Sequence, residues 1–294
     1  MRAERRRARF LAARLVWRSG AWRWLRLPIR FEEGFRTYLQ PTSLSARYWI
    51  SRDHAKEDRD FLRSCLKQGD VVVDVGANIG ILALTAATLV GRSGRVVAIE
   101  PNERVFSFLR ENVRLNRMGH VECLRCAIGS STTMLAMTDV RSDDFNAVVP
   151  GNPLRAVAAQ MVRCRTLDDV IPPDEDVALL KIDVEGFELP VLRGATAVLS
   201  RTARVYFECY QRKRHCDRYG YEPRDLIDFL EDHGFFALPL AGRDDRPRPL
   251  TRLGGEVLRE PRCRSTGRRQ GRDPTEHSAS AVVTPGGPDT PRAE

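Results

Sequence analysis

A chain of 294 residues with 42% hydrophobic content can bury one sizeable α/β core, so a single domain with appendages is expected. Its formal charge of +9 suggests a polyanionic partner, but the surplus sits at the ends: residues 1–30 hold ten arginines against one acid, residues 243–294 carry +3, and the middle is left at −3. The central region therefore lacks the balance of a phosphate-tracking surface, and nucleic acid is not an expected partner.

Only four of the 48 basic residues are lysines, an arginine excess spread through every segment that fits codon bias better than selection for a polyanion. Seven scattered cysteines, with a lone C-x-x-C at Cys123 and Cys126 and no second pair, read as small buried thiols. With no secretory leader pattern and no run of membrane-spanning length, a reducing cytoplasm is the expected compartment.

In chain order, residues 1–30 form a unit of their own. Leu11, Leu15, Trp22, Leu25 and Ile29 recur at near-heptad spacing among arginines, with Phe10, Trp17 and Trp24 nearby; Gly20 interrupts and Pro28 ends any helix. Such a basic, tryptophan-bearing helix suits peripheral contact with an anionic membrane. A helix packed across the domain edge, or sequence upstream of the true start, are the alternatives. Residues 31–69 are a lead-in segment whose helix, Glu57 to Leu66, is expected to cover a cofactor site.

The α/β alternation starts at residue 71: strand 71–75, helix 79–90, strand 95–100, helix 103–116, strand 121–124. Thr132–Thr138 and Met161–Arg165 read as a β-hairpin inserted between the third and fourth core strands. Strand 177–182, helix 188–199, strand 204–209, helix 223–233 and strand 235–239 complete a mostly parallel sheet. This unit spans 70–240. Residues 241–294, rich in Arg, Pro, Gly, Ser and Asp, read as a disordered tail, which leaves the strand expected to pair at the sheet edge without an obvious source.

The densest signal is Val71 to Gly80. A β-branched run ends in Asp74, Gly76 and Gly80 bracket a turn, and an apolar helix follows; Glu100 then ends the next strand about twenty residues on, where nucleotide-binding α/β units place a carboxylate on ribose hydroxyls. Asn78 puts a side chain where a dinucleotide fingerprint needs glycine beside a pyrophosphate. A phosphate-free nucleoside cofactor, S-adenosylmethionine, fits this turn better, and an NAD-dependent oxidoreductase ranks lower.

Four strings then carry a specific resemblance: Asp74-Val75-Gly76-Ala77-Asn78-Ile79-Gly80, Ile99-Glu100-Pro101-Asn102, Thr166-Leu167-Asp168-Asp169, and Lys181-Ile182-Asp183-Val184-Glu185-Gly186-Phe187-Glu188. In order and spacing they resemble the FkbM family of methyltransferases over about residues 65 to 240. The resemblance implies a class I, Rossmann-like three-layer sandwich and methyl transfer from S-adenosylmethionine, commonly to a hydroxyl of a sugar, polyketide or related product. A cofactor-binding protein that does not catalyse, tethered through its basic start, is the alternative of a different class.

For cofactor binding, Asp74 would position the turn, Gly76 and Gly80 would clear space for the amino-acid head, and Asn78 would offer its amide. Glu100 would take the ribose, Asn102 would sit near the nucleoside, and Ala127 would lie at the adenine edge. Asp183 and Glu185, at the carboxyl end of the fourth strand, are the candidate catalytic acids: a general base, acceptor-orienting groups or, with a third carboxylate that the sequence does not show, magnesium ligands. Alternatively Glu185 and Glu188 cap the following helix. Lys181, on a buried strand, needs an acid such as Asp168 or Asp74. Glu208, His215 and His54 are second-rank candidates for the pocket of a small hydroxyl acceptor. The Asn/Asp-Pro-Pro-aromatic signature of enzymes that methylate planar amines is absent. Oligomeric state is not encoded in any of these patterns.

Overall fold

The structure, a computed structural model, describes residues 2–138, 147–149, 159–208, 216–237 and 280–285. Strands rich in branched apolar side chains, β3 (Val71–Val75), β4 (Arg95–Ile99), β5 (Val121–Leu124), β9 (Leu179–Ile182) and β10 (Val205–Glu208), pair in parallel. Both faces of these strands are mostly apolar, which suits a parallel sheet covered by helices. One face packs against α4 (Lys56–Cys65), α5 (Ile81–Val90) and α6 (Glu103–Leu115) through Leu62, Leu84 and Leu109. The other packs against α7 (Glu188–Arg193), α8 (Thr196–Ser200) and α9 (Pro223–Asp232) through Leu192, Val198 and Leu230. This is the three-layer sandwich that the sequence leads one to expect.

The full sheet has seven strands in the order β11-β12-β10-β9-β3-β4-β5, with β11 at Phe235–Ala237 and β12 at Ser280–Pro285. β12 runs antiparallel to both neighbours, pairing Tyr206 with Val282 and Phe236 with Thr284. The missing edge partner thus comes from the segment read as a disordered tail, and that reading is corrected at 280–285. Ser-Ala-Val-Val-Thr is a short β-branched run, and backbone pairing on both sides stabilises it despite polar surroundings.

The expected hairpin is present as β7 (Thr133–Thr138) and β8 (Ala159–Arg165), antiparallel. It is larger than expected, because β6 (Ala127–Ile128) joins β8 in parallel and makes a separate three-stranded sheet. The helix expected over 188–199 breaks between α7 and α8. Gly194 sits so close to Gly129 that a Cβ would lie 2.0 Å from the Gly129 carbonyl oxygen, and Asp168 restarts the chain by accepting from the Ala197 and Val198 N–H groups at 3.1 and 2.9 Å.

The N-terminal segment packs on the same body. α1 (Arg2–Arg18) buries Ala13 and lies along α3 (Ser43–Ile50), where Trp49 Nε1 donates to the Arg9 carbonyl at 3.1 Å. After a short α2 (Trp22–Leu25), Pro28 opens a strand, β1 (Pro28–Arg30), paired antiparallel with β2 (Arg36–Tyr38). Asn112 of α6 and Asn116, its C-cap, accept from the Tyr38 and Arg36 N–H groups at 3.1 and 2.8 Å, tying this ribbon to the helix layer. Arg59 of α4, fully buried, is held by Glu33 at 2.7 Å.

Candidate functional site

The turn between β3 and α5 is built from left-handed residues, with φ of +79° at Gly76, +50° at Asn78 and +91° at Gly80. Asparagine tolerates this conformation better than most residues, and here its Oδ1 accepts from the Ile79 N–H at 2.7 Å. Gly76 is required by crowding as well: a Cβ there would lie 1.8 Å from the Asp183 carbonyl oxygen. The ends of β3 and β9 therefore nearly touch, and the Gly76 and Ala77 N–H groups both donate to Ile99 O at 2.9 Å.

Over these strand ends lies an open cleft. Gly76, Asn78 and Glu100 line one part, and Asp183, Val184 and Glu185 line another. Cys126, Ala127 and Ile128 form a wall without acidic or amide side chains, so recognition of a flat ring there falls to apolar contact and backbone groups. Met137, Val148 and Phe187 close the apolar side.

Glu100 is the most telling residue. It is 7% exposed, and each carboxylate oxygen takes one backbone proton: Oε2 from Asn78 at 3.0 Å and Oε1 from Asn102 at 2.9 Å. Each oxygen keeps acceptor capacity, which suits a vicinal diol. Burial pushes the carboxyl up to about 7, against the lowering effect of those two N–H bonds.

Beneath the turn runs a row of polar side chains on one face of three adjacent strands. Asp74 pairs in register with Lys181, and Lys181 with Tyr206. Lys181 Nζ donates to the Gly76 carbonyl at 2.9 Å and lies 3.1 Å from Asp74 Oδ1 and 3.4 Å from Asp183 Oδ2. At the far end the Tyr206 hydroxyl donates to Asp58, carried in by α4. Burial raises the pKa of both Asp74 and Asp58, with Lys181 acting in the opposite direction. Asp74 and Asp183 thus flank the Lys181 ammonium, and Asp183 and Glu185 give this end of the cleft an acidic lining that favours a ligand bearing positive charge.

A diol acceptor, an apolar slot and an acid-rich end correspond to the ribose, the base and the cationic amino-acid and sulfonium portion of S-adenosylmethionine. The residues fit that cofactor.

Several predicted roles change. Gly80 does not line the cleft; it serves packing, since a Cβ would lie 2.6 Å from Leu109 Cδ1. Asn102 is buried and caps α6, its Oδ1 accepting from Val105 N–H at 3.1 Å, and its backbone N–H supports Glu100 at the nucleoside end. Asp74 is fully buried below the turn and is not part of the cleft lining. Lys181 pairs with Asp74 and Asp183, while Asp168 caps α8. Glu188, at the start of α7, turns its carboxyl back over the preceding loop and accepts from the N–H of Gly186 at 3.1 Å. His54 lies outside the cleft, its ring edge-on to Tyr48 at 5.2 Å, and burial lowers its pKa. Glu208 ends β10 as predicted, with its side chain outside the described set; His215 lies outside the described residues.

Asp58 and Tyr206 were missed. Asp58 shares a helical face with Leu62 and Cys65, a spacing that points an acid inward and could have found it. Met137 reaches the cleft from β7 of the expected hairpin, and Val148 through an isolated bridge to Met137 that has no local signature.

Comparison with known proteins gives a consistent result. The family model of the methyltransferase FkbM domain matches residues 74–237, more than half of the chain. Among curated relatives, the chain is 28% identical over 190 residues to hexuronic acid methyltransferase AglP of Haloferax volcanii, covering 63% of this chain and 72% of that protein. It is also 28% identical over 143 residues to methyltransferase 1 of Beauveria bassiana, covering 42% of this chain and 57% of the relative. A solved methyltransferase FkbM from Methylobacillus flagellatus aligns at 17% identity and a TM-score of 0.38, covering 64% of this chain and 49% of that one.

Proposed function

The chain belongs to the FkbM methyltransferase domain family and is an S-adenosylmethionine-dependent methyltransferase, and from that premise we propose that it methylates a hydroxyl oxygen of a saccharide, polyketide or other secondary metabolite. The observation that carries this reading is Asp183. Its side chain is 33% exposed and lines the cleft, while Lys181 orients it from below at 3.4 Å.

S-adenosylmethionine, when bound, supplies a methyl carbon activated by its sulfonium. Glu100 would hold the ribose by its two oxygens, and Gly76 and Asn78 would let the amino-acid head lie along the turn. Asp183 would accept a hydrogen bond from the acceptor hydroxyl, orient its lone pair in line, and take the proton as the C–O bond forms. Glu185, across the same lining, would fix a second polar group of the acceptor. The similarity to a hexuronic acid methyltransferase supports a sugar-like acceptor.

Asp183→Asn tests the assignment. S-adenosylhomocysteine should bind as tightly as to the wild type, whereas transfer to an accepted alcohol should fall about 10²–10⁴-fold. Wild-type binding of the cofactor with no transfer to any alcohol or sugar panel would favour the non-catalytic reading.

A second surface supports a second reading: residues 1–30 lie on an anionic membrane. Phe10, Leu11, Leu15, Trp24 and Leu25 are 42–86% exposed, interleaved with arginines. Aliphatic and indole side chains in that setting fit a lipid interface better than a second, equally cationic copy of this chain. No helix among the described residues is long and apolar enough to cross a membrane, so the contact would be peripheral. The full chain should float with phosphatidylglycerol vesicles at low salt and not with phosphatidylcholine; absence of flotation on both removes this reading.

A further inference from the structure

The loop that carries Asp183 into the cleft continues through Val184 and Glu185 to Gly186, and it takes an unusual path. Glu185 has φ of +55° and Gly186 of +96°, two successive left-handed residues at the cleft lining. For a side-chain-bearing residue that conformation is strained and persists only where its surroundings hold it.

What holds it is Glu188. This side chain is 4% exposed, and its Oε1 accepts from the Gly186 N–H at 3.1 Å and the Val184 N–H at 3.4 Å. Its Oε2 lies 3.0 Å from the hydroxyl of Tyr221, a residue 7% exposed. The same hydroxyl lies 2.7 Å from the Gly186 carbonyl oxygen.

Counting protons decides the ionisation state. Three oxygens stand in a chain: the Gly186 carbonyl, the Tyr221 hydroxyl and Glu188 Oε2. Two hydrogen bonds need two protons, the carbonyl has none, and Tyr221 has one, which the shorter contact assigns to the carbonyl. Both contacts are full hydrogen bonds at once only with a second proton, on Glu188 Oε2. Its surroundings agree: the ionisable groups facing it are Tyr221 and Cys216 from the segment before α9, Tyr219 on the Asp217–Tyr219 turn, and Asp183 on its own loop, none of them a cation. Burial, the largest influence on Glu188, raises its pKa against the lowering effect of its own N–H, the Gly186 N–H and the Tyr221 hydroxyl, and Asp183 adds to the rise.

We propose that Glu188 is a positioning residue that works as a neutral carboxylic acid, its proton completing the Glu188–Tyr221–Gly186 chain that locks the left-handed turn aiming Glu185 at the cleft. It touches no reacting atom; it acts through the backbone of residues 184–186. Loss of the proton draws the Tyr221 hydroxyl away from the Gly186 carbonyl to the carboxylate, so the turn loses that link as pH rises.

Infrared spectroscopy of the full chain in D₂O tests this directly. The wild type should show the C=O stretch of a buried protonated carboxyl at neutral pH, and Glu188→Gln should lack it. Glutamine reproduces the neutral acid, accepting from Gly186 and donating to Tyr221. Glu188→Gln should therefore bind S-adenosylhomocysteine within about threefold of wild type, whereas Glu188→Ala should bind about tenfold more weakly. Because a raised carboxyl stabilises the fold below its unfolded pKa and loses that contribution as pH rises through the folded one, wild-type melting should decline with alkalinity more steeply than that of Glu188→Gln.

Absence of the protonated band, or Glu188→Gln as damaging as Glu188→Ala, overturns the proposal. Only its affinity readout rests on the methyltransferase reading. If wild-type protein failed to bind S-adenosylhomocysteine, that reading would fail, while the infrared band and the melting profile would still decide the protonation of Glu188.

Discussion

Replacing Glu100 with glutamine separates the two things this carboxylate does. In the fold its pKa is about 7 against an ordinary 4.5, so ionising it inside the protein costs about 3 kcal/mol more than in the unfolded chain. The sign follows from linkage: the contribution is fully present below about 4.5 and is lost as pH climbs through 7. Glutamine carries no such dependence. It also retains only one acceptor, so either the Asn78 or the Asn102 N–H loses its partner, at about 1–3 kcal/mol. Thermal unfolding from pH 4.5 to 8 should therefore show the wild type losing about 3 kcal/mol relative to the variant, the variant being the less stable at acid pH and the difference shrinking towards neutrality. Calorimetry with S-adenosylhomocysteine should show the opposite pattern. Wild-type affinity should rise with pH to a plateau above 7 as the diol meets an ionised partner, and the variant should be weaker by about 1–3 kcal/mol at the plateau. Parallel stability curves, or equal affinities at pH 8, would refute the assignment.

Gly76→Ala combines a left-handed φ with a Cβ 1.8 Å from a backbone oxygen, and should cost roughly 2–5 kcal/mol in denaturant unfolding together with loss of cofactor binding. Lys181→Met strips the buried Asp74 of its counter-ion and should cost about 3–5 kcal/mol at neutral pH, partly recovered in acid as Asp74 takes a proton; equal losses at pH 5 and 8 would argue against an ionised Asp74. Asp168→Ala removes the cap of α8 and should lower stability by about 0.5–2 kcal/mol without changing affinity for S-adenosylhomocysteine.

The legible parts of this chain are those where a local pattern has one physical meaning. A β-branched run ending in Asp74 can only be a doubly covered strand before a turn, and Glu100 at the end of the next strand has only the cleft to face. Glycine is less informative, because the same letter answers two needs: at Gly76 it admits a neighbouring backbone, while at Gly80 it admits Leu109, which lies 29 residues on and is invisible to any turn motif. Asn102 stands directly before a helix beginning at Glu103, a capping position, and its nearness to Glu100 gives it a second meaning as a ligand contact. Helix 188–199 looked continuous because its interruption depends on contact between Gly194 and Gly129, two distant glycines. Glu188 belonged to a motif that suggested helix capping; its partner Tyr221 arrives from 33 residues away, and no spacing rule connects them.

The sheet order carries a consequence for how this protein is made. β12 is wedged between β10 and β11, and Tyr206 pairs with Val282, 76 residues later. During synthesis β10 must wait with one hydrogen-bonding edge open until residue 285 has emerged, and β11 cannot dock in its final place because its neighbour does not yet exist. Pairings of such long sequence separation are slow to form and leave unpaired strand edges exposed in the interval. Chaperone demand and aggregation during expression should therefore concentrate in the time between β11 and β12, so that a premature stop in the 240–279 segment yields a chain with an open edge at β10 rather than a trimmed but finished domain.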